Sequence, residues 1–481
     1  MTWETIEANL LQFFGDVNKY FSGYVLVILL VGVGIFFTIR TKFAQIRYFG
    51  QGAKQVFGNL KLKGDKQKSG LSSFQAFATA VAAQVGTGNI IGATGAILVG
   101  GPGAIFWMWI IAFLGMATIY AEAVLAQKTK TVDEKGNVLG GPVYYIKKAF
   151  PNGFGTFLAI FFAVAIVIAL GFVGTMVQSN SITGAISNAI SAASGQPMEQ
   201  WVSIVIGVVI AIVAGIIFIG GVSRLASVTE KMVPIMAFIY ILGGIVILCC
   251  RITSLPGAFG IIFTQAFDPK AVVAGSVAEG IVMAVQQGAK RGLFSNEAGM
   301  GSTPHAHAQA NVAHPHDQGV VAMIGVFIDT FIVLTLNALV VISTLYAADG
   351  PLAECGAAAA STVLNKTNLA QTAFGTVFGE SFGAMFVAVC LLFFAFSTVL
   401  SWNMFGKINV IYLFGKKATG VYSVIALVFV FLGTMMSNDL VWELTDAFNY
   451  LMVLPNAIAL FALTGMVVKS VKEAEAKKLK K

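Results

Sequence analysis

Long apolar runs recur along the chain, separated by short polar segments that hold nearly all of its lysines and arginines. A helix needs about 20 apolar residues to cross a hydrocarbon core of roughly 30 Å. Runs of that length predict spans at about 21–39, 71–99, 102–126, 153–180, 200–219, 230–249, 271–302, 319–346, 378–405, 420–436 and 441–467. This is the pattern of an all-α polytopic membrane protein with eleven spans. The opening segment, 1–20, is polar and mildly acidic, and no charged leader with an apolar core and a cleavage site precedes the first run, so that span is expected to be retained.

The connections alternate in charge. Of the 30 Lys and Arg, 24 fall in segments 40–70, 127–150, 220–231, 406–419 and 468–481, whereas Lys19, Arg251, Lys270 and Lys366 lie on the other side. The positive-inside rule then predicts a cell-membrane protein with its N-terminus outside and its Lys-rich C-terminus in the cytoplasm. Composition excludes a soluble enzyme: 57% of residues are hydrophobic, 11% are charged and the mean hydropathy is +0.83. The net charge of +8 is spread over separate loops, which argues for topology and against nucleic acid, and no nucleotide-binding loop appears. Cys249, Cys250, Cys355 and Cys390 have no metal or redox spacing and read as small hydrophobes.

Two spans carry polar interruptions in matching places. Residues 71–99 would make a straight helix of about 43 Å, yet Gln84-Val85-Gly86-Thr87-Gly88-Asn89 interrupts its middle with residues that favour unwinding. Span 271–302 contains Phe294-Ser295-Asn296-Glu297-Ala298-Gly299-Met300-Gly301-Ser302, in which an ionised Glu297 would cost on the order of 2.5–3.5 kcal/mol in hydrocarbon. Once the first helix is set aside, the two breaks fall in the first and the sixth of the ten remaining spans. That arrangement predicts one N-terminal helix (21–39) followed by two five-helix repeats of opposite orientation (71–249 and 271–467) and a cytoplasmic tail (468–481), with a site near the midplane. Gly88, Gly92 and Ala96 at spacing four also fit a close helix contact, so the first break alone carries two readings.

Three segments resemble the alanine or glycine:cation symporter family: Gly101-Pro102-Gly103-Ala104-Ile105-Phe106-Trp107-Met108-Trp109; Lys290-Arg291-Gly292-Leu293 running into the second break, with Pro304-His305-Ala306-His307 after it; and Gly325-Val326-Phe327-Ile328-Asp329-Thr330. The likeness runs from about Gly23 to Gly415, and the first segment departs from the family pattern at Phe113, where a small residue is usual. The family resembles the amino acid-polyamine-organocation superfamily, which implies the ten-helix inverted repeat of the leucine-transporter type. It implies Na+-coupled symport of a small neutral amino acid, alanine or glycine, into the cytoplasm by alternating access, with Na+ as coupling ion and no cofactor. H+ coupling, a membrane-embedded enzyme and an ion channel remain alternatives.

An amino acid zwitterion needs amide donors for its carboxylate, oxygen acceptors for its ammonium and a shaped wall for its side chain. Amides of Gly86, Thr87, Gly88 and Asn89 at the start of a half-helix suit the carboxylate. Carbonyls around Ser295, Asn296, Glu297 and Gly299 suit the ammonium. The resemblance adds Gln178, Phe294 as a lid and Trp402 as a wall. It also implies a sodium site from the carbonyls of Ala82 and Val85 with the hydroxyls of Ser397 and Thr398. Gln178 is equally readable as an interhelical hydrogen bond, and Ser397 and Thr398 as hydroxyls bonded back to their own helix. Lys290 and Arg291 point either to an ionic outer gate with Asp446 or to charge satisfaction by Asp329 or Glu279. Glu122 reads as a proton site or as the partner of a basic loop. His305, His307, His314 and His316 lie within twelve residues of one another, and a structural or gating role is expected over metal.

Overall fold

The structure is a computed structural model that describes residues 3–58, 70–133, 137–267, 277–353 and 364–479. Lys270, Cys355 and the first six residues of the expected span at 271–302 lie outside the described residues.

Helices follow one another almost without interruption. Helix α1 covers Thr5–Arg40, and α2 is the short Phe49–Phe57. The first broken span is α3 (Ser73–Gln84) and α4 (Gly88–Gly100), bent by 44° between them. Then come α5 (Ala104–Thr129), a two-stranded hairpin β1 (Thr131–Val132) and β2 (Val138–Leu139), α6 (Pro142–Ala149), α7 (Gly153–Ser194), α8 (Gln200–Ile219), α9 (Gly221–Cys250) and α10 (Leu255–Gln265). The second broken span is α11 (Val277–Asn296) and the short α12 (Pro304–Gln309). After it lie α13 (Pro315–Leu345), α14 (Leu369–Phe378), α15 (Glu380–Phe414), α16 (Thr419–Gly433), α17 (Asn438–Ala462) and α18 (Thr464–Leu479).

Among the described residues nine helices are long and apolar enough to cross a membrane, ten when α3 and α4 count as one. The eleventh expected span is α11 with α12, which Lys290 and Arg291 make less apolar than the rest. Side chains sort by position. Ile212, Ile216, Ile235, Phe238 and Val424 on α8, α9 and α16 face outward, as an apolar solvent allows, while α5, α7, α13 and α15 pack the interior.

Several boundaries differ from the sequence expectation: α7 runs to Ser194, past the expected end at 180, and α9 starts at Gly221, before the expected 230. Residues 1–20 were expected as a polar segment, yet α1 begins within them and runs unbroken into the first span, where Asn18 Nδ2 donates to the Glu443 carbonyl at 2.8 Å. Helix α15 continues nine residues beyond the expected end at 405, so Lys407, expected in a loop, is buried, and its ammonium donates to the Phe218 carbonyl at 2.7 Å.

The expected inner ends of the two broken spans are fastened to each other. Leu71 N donates to the Gln309 carbonyl at 2.8 Å and Asn311 N to the Leu71 carbonyl at 2.9 Å, a single parallel bridge between Leu71 and Ala310. Gln127 of α5 holds the same strand-like turn, donating to the carbonyls of His307 and Ala310 at 2.5 and 2.9 Å.

Candidate functional site

Both breaks form where the sequence places glycine beside polar residues. Val85, with ψ 84°, ends α3 and turns its carbonyl out of the helical direction. Gly86 N donates to Asn89 Oδ1 at 2.9 Å, closing a one-turn knot before α4 begins. The next amides, of Thr87 and Gly88, stand at the start of a half-helix, where first-turn N–H groups have no intrahelical acceptor. The second break is held open by three left-handed residues, Glu297 (φ 57°), Gly299 (φ 95°) and Gly301 (φ 79°). Glycine adopts that conformation without strain and glutamate does not, so Glu297 needs strong partners. It has two: Ser302 Oγ donates to Oε2 at 2.5 Å and Trp402 Nε1 donates to Oε1 at 2.6 Å.

Around the two breaks the expected residues gather, all of them buried. A Cβ on Gly88 would lie 2.9 Å from Ser295 Cα and 3.1 Å from Phe294 Cδ1, so the breaks touch directly. A Cβ on Gly86 would lie 2.4 Å from Thr398 Oγ1 and 3.6 Å from Gln178 Oε1, which brings α15 and α7 against the first break. Gln178 is 1% exposed, and among the described residues neither of its amide atoms has a hydrogen-bond partner. The same is true of the Thr87 hydroxyl. Phe294 meets Trp402 edge-on with centroids 6.0 Å apart, and Trp402 presses on Gly174, where a Cβ would come within 2.6 Å of the indole. Phe294 also packs on Trp442, at 4.7 Å, and the Arg291 guanidinium covers that indole at 4.5 Å. Arg291 and Lys290 both reach Asp446, at 3.1 and 2.6 Å, so the gate partner offered by the sequence is the one they meet.

The hydroxyls of α15 reach the first break. Thr398 Oγ1 donates to the Ala82 carbonyl at 2.9 Å and Ser397 Oγ to the same carbonyl at 3.4 Å. Both also bond back to the Phe394 carbonyl, so the intrahelical reading and the interhelical one hold together.

Other expected site residues sit to either side. Asn89 Nδ2 donates to Asp329 Oδ1 at 2.6 Å, and Ser295 Oγ reaches both Asp329 oxygens at 3.0 and 3.1 Å, so these two anchor a buried carboxylate on α13. The Asn296 carbonyl accepts from Gln84 Nε2 at 2.7 Å, and its side-chain oxygen accepts from Ala298 N at 3.0 Å. Gly299 N and Gly301 N donate to Glu122 at 3.1 and 3.0 Å, and Asn456 Nδ2 bridges Glu122 (2.6 Å) to the Gly299 carbonyl (2.9 Å). Glu122 therefore holds the second break by accepting these hydrogen bonds, and among the described residues no Lys or Arg forms an ion pair with it. Asp329, Asn456 and Trp442 were not singled out from sequence as site residues. For Asp329 the signal was available, a carboxylate within the apolar run 320–341. The histidines have separate partners: His305 Asn409 and the Ser302 carbonyl, His307 Gln318, His314 Glu473, and His316 Tyr120.

The sequence profile described as the sodium:alanine symporter family matches residues 7–481. The chain belongs to that family. A sodium/alanine symporter, AgcS, of Methanococcus maripaludis is 39% identical over 457 residues, 95% of each chain. An uncharacterized transporter of Haemophilus influenzae is 38% identical over 469 residues, covering 98% of this chain and 96% of that protein. Among solved structures, that of MhsT in complex with L-phenylalanine superposes with a TM-score of 0.53 at 14% identity, covering 84% of this chain and all of that one. The symporter thus has the fold of the leucine-transporter type, one N-terminal helix followed by the ten-helix inverted repeat, and it is a multi-pass membrane transporter and not an enzyme.

Proposed function

We propose that this family member carries a small neutral amino acid, alanine or glycine, into the cytoplasm together with Na+, by alternating access about the two breaks. One observation carries the reading: Gln178, buried with an amide unpartnered among the described residues, faces the knot at Gly86 beside Thr398, while Phe294 lies against Gly88 and Trp402 against Gly174. An unpaired buried amide costs about 1–3 kcal/mol, and a zwitterion that both donates and accepts hydrogen bonds would remove that cost. In this reading Thr87 and Gly88 amides take the carboxylate, Gln178 shares the polar ends, and Phe294 and Trp402 limit the side chain to a methyl or a hydrogen. Asn89, Ser295, Asn296, Glu297 and Gly299 hold the breaks open. Ala82, Val85, Ser397 and Thr398 bind Na+ with neutral oxygens, which suit a hard cation. The charge asymmetry of the loops supports an outside N-terminus and a cytoplasmic C-terminus.

Thermodynamics fixes what such a cycle must do. One Na+ entering with one zwitterion moves one charge, worth about 2.3 kcal/mol per 100 mV, or an accumulation of about 40-fold. The test is counterflow of labelled alanine, glycine, serine and glutamine in proteoliposomes with and without Na+, followed by uptake under an imposed potential. Saturable, Na+-dependent exchange of the smallest substrates with a response to potential is expected. Exchange indifferent to Na+ would overturn the coupling ion, and preference for a large side chain would overturn the pocket.

A further inference from the structure

A polar seam leads away from the Ala82, Ser397 and Thr398 cluster toward the Lys-rich face. It runs between α3 and α9. On α3 its positions are Ala82, Thr79 and Gln75, spaced by three and four residues and so on one helix face. On α9, Met236 lies against Ser397, with Sδ 3.5 Å from Oγ. Two turns further along, Thr229 Oγ1 lies 3.2 Å from Thr79 Oγ1. At the end, Gln75 Nε2 donates to Glu230 Oε2 at 3.0 Å. From Ala82 to Gln75 is about 10 Å along the helix axis.

Glu230 is the odd member. It is 3% exposed, and among the described residues its Oε1 has no hydrogen-bond partner and no Lys, Arg or His lies within ion-pair distance of it. Buried carboxylates are ordinarily paired or bound to metal. Thr79 and Thr229, both fully buried, present hydroxyl oxygens in the same seam. Gln75 is only half-buried and belongs to a capping box with Ser72 at the first turn of α3, so the seam ends at a helix terminus.

We propose that Glu230, with the Thr79 and Thr229 hydroxyls, forms a second cation station, which receives Na+ as it leaves the Ala82, Ser397 and Thr398 cluster for the cytoplasm. The inference rests on the sodium reading above. The carboxylate gives the ion a full counter-charge where the other polar groups of the seam, Thr79, Thr229 and Gln75, are neutral. The Gln75 carboxamide, released as α3 moves, is replaced at the carboxylate by the ion, so inner opening and ion departure become one event.

The experiment compares the full-length wild type with Glu230→Gln and Glu230→Asp in proteoliposomes. Glutamine keeps the shape and an oxygen for Gln75 but removes the charge, whereas aspartate keeps the charge. Two quantities are read: the Na+ concentration that half-saturates alanine binding, and the rate of radioactive Na+ release from preloaded protein. Glu230→Gln should leave the first within about twofold and slow the second by about tenfold, and Glu230→Asp should recover part of the rate. Release by Glu230→Gln at or above the wild-type rate overturns the station. A shift of its Na+ titration as large as that of Thr398→Val also overturns it, by making Glu230 part of the central site. Alanine binding by the wild type that ignores Na+ would instead refute the sodium reading, and the station with it. Retained alanine binding by the variants excludes misfolding.

Discussion

Trp402→Phe removes one hydrogen bond. The substitution keeps an aromatic wall beside Phe294 but deletes the indole N–H that donates to Glu297 Oε1 at 2.6 Å. Glu297 is fully buried and left-handed, and afterwards only Ser302, at 2.5 Å, would hold its carboxylate. Losing a hydrogen bond to a buried charged group costs about 1.5–3 kcal/mol. If the break between α11 and α12 keeps its form only in the substrate-competent state, that cost appears as a loss of alanine affinity of about 10- to 150-fold. The smaller ring also removes packing against Gly174, so a single variant is ambiguous, and Glu297→Gln supplies the second arm of a double-mutant cycle. Where the wall and the break act through this bond, Trp402→Phe should cost much less in the Gln background than in the wild type, a coupling in the usual range of 0.5–3 kcal/mol for residues in contact. Alanine binding to the four purified proteins at saturating Na+ measures it. An equal loss in both backgrounds would reduce Trp402 to packing, and a loss below about twofold would refute the reasoning altogether.

Three further outcomes are expected. Thr398→Val should raise the Na+ concentration needed for alanine binding while high Na+ restores affinity, with Thr398→Ser close to wild type; an unchanged Na+ dependence would remove Thr398 from the ion site. Asp446→Asn removes the carboxylate shared by Lys290 and Arg291 and leaves Lys290 only Glu443, at 3.9 Å, so bound alanine should dissociate faster and a cysteine placed near Gly92 should label faster, whereas unchanged rates would show that the ion pairs are no gate. The Glu475 carboxyl is held below its ordinary value by the hydrogen bond from Arg47, at 2.6 Å, so the attachment of α18 is at full strength above the unfolded carboxyl range and is lost as pH falls through the folded value. The pair is partly exposed and worth under about 1 kcal/mol. Hydrogen exchange in α18 should therefore distinguish Arg47→Ala from wild type at pH 7 and stop doing so in acid; a difference that persists in acid would assign it to packing.

What could be read from sequence was set by local chemistry. Glycines next to Asn, Ser and Glu inside apolar runs announced both breaks, because unwound backbone in a membrane is tolerated only where it is buried in protein or lines a cavity. The likeness to a known family then nominated Gln178, Phe294, Trp402 and the hydroxyls of α15; of these Gln178 and Thr398 meet at Gly86, while Phe294 lies against Gly88 and Trp402 against Phe294 and Gly174. Pairings across space were not legible. Asp446, Asp329 and Glu279 were all claimants for Lys290 and Arg291, and only packing assigns Asp446 to the cations and Asp329 to Asn89 and Ser295. Glu297 looked like a pocket residue because polarity in a span points to a cavity, but nothing local says that its carboxylate turns toward Trp402 and Ser302. The continuation of α15 past Lys407 was hidden for a similar reason: a lysine in a helix reads as a loop unless the carbonyl that receives it is known.

The bridge between Leu71 and Ala310 has a kinetic consequence. Two arms that swing independently would give an inner gate four combinations of open and shut, two of them leaks in which one arm has moved without the other. Fastened by two backbone hydrogen bonds, which no side-chain substitution removes directly, the arms share one degree of freedom, and the mixed combinations become rare states that require the bridge to break first. A proline at Leu71, which lacks the amide that reaches Gln309, would restore them as slippage: alanine crossing without its ion.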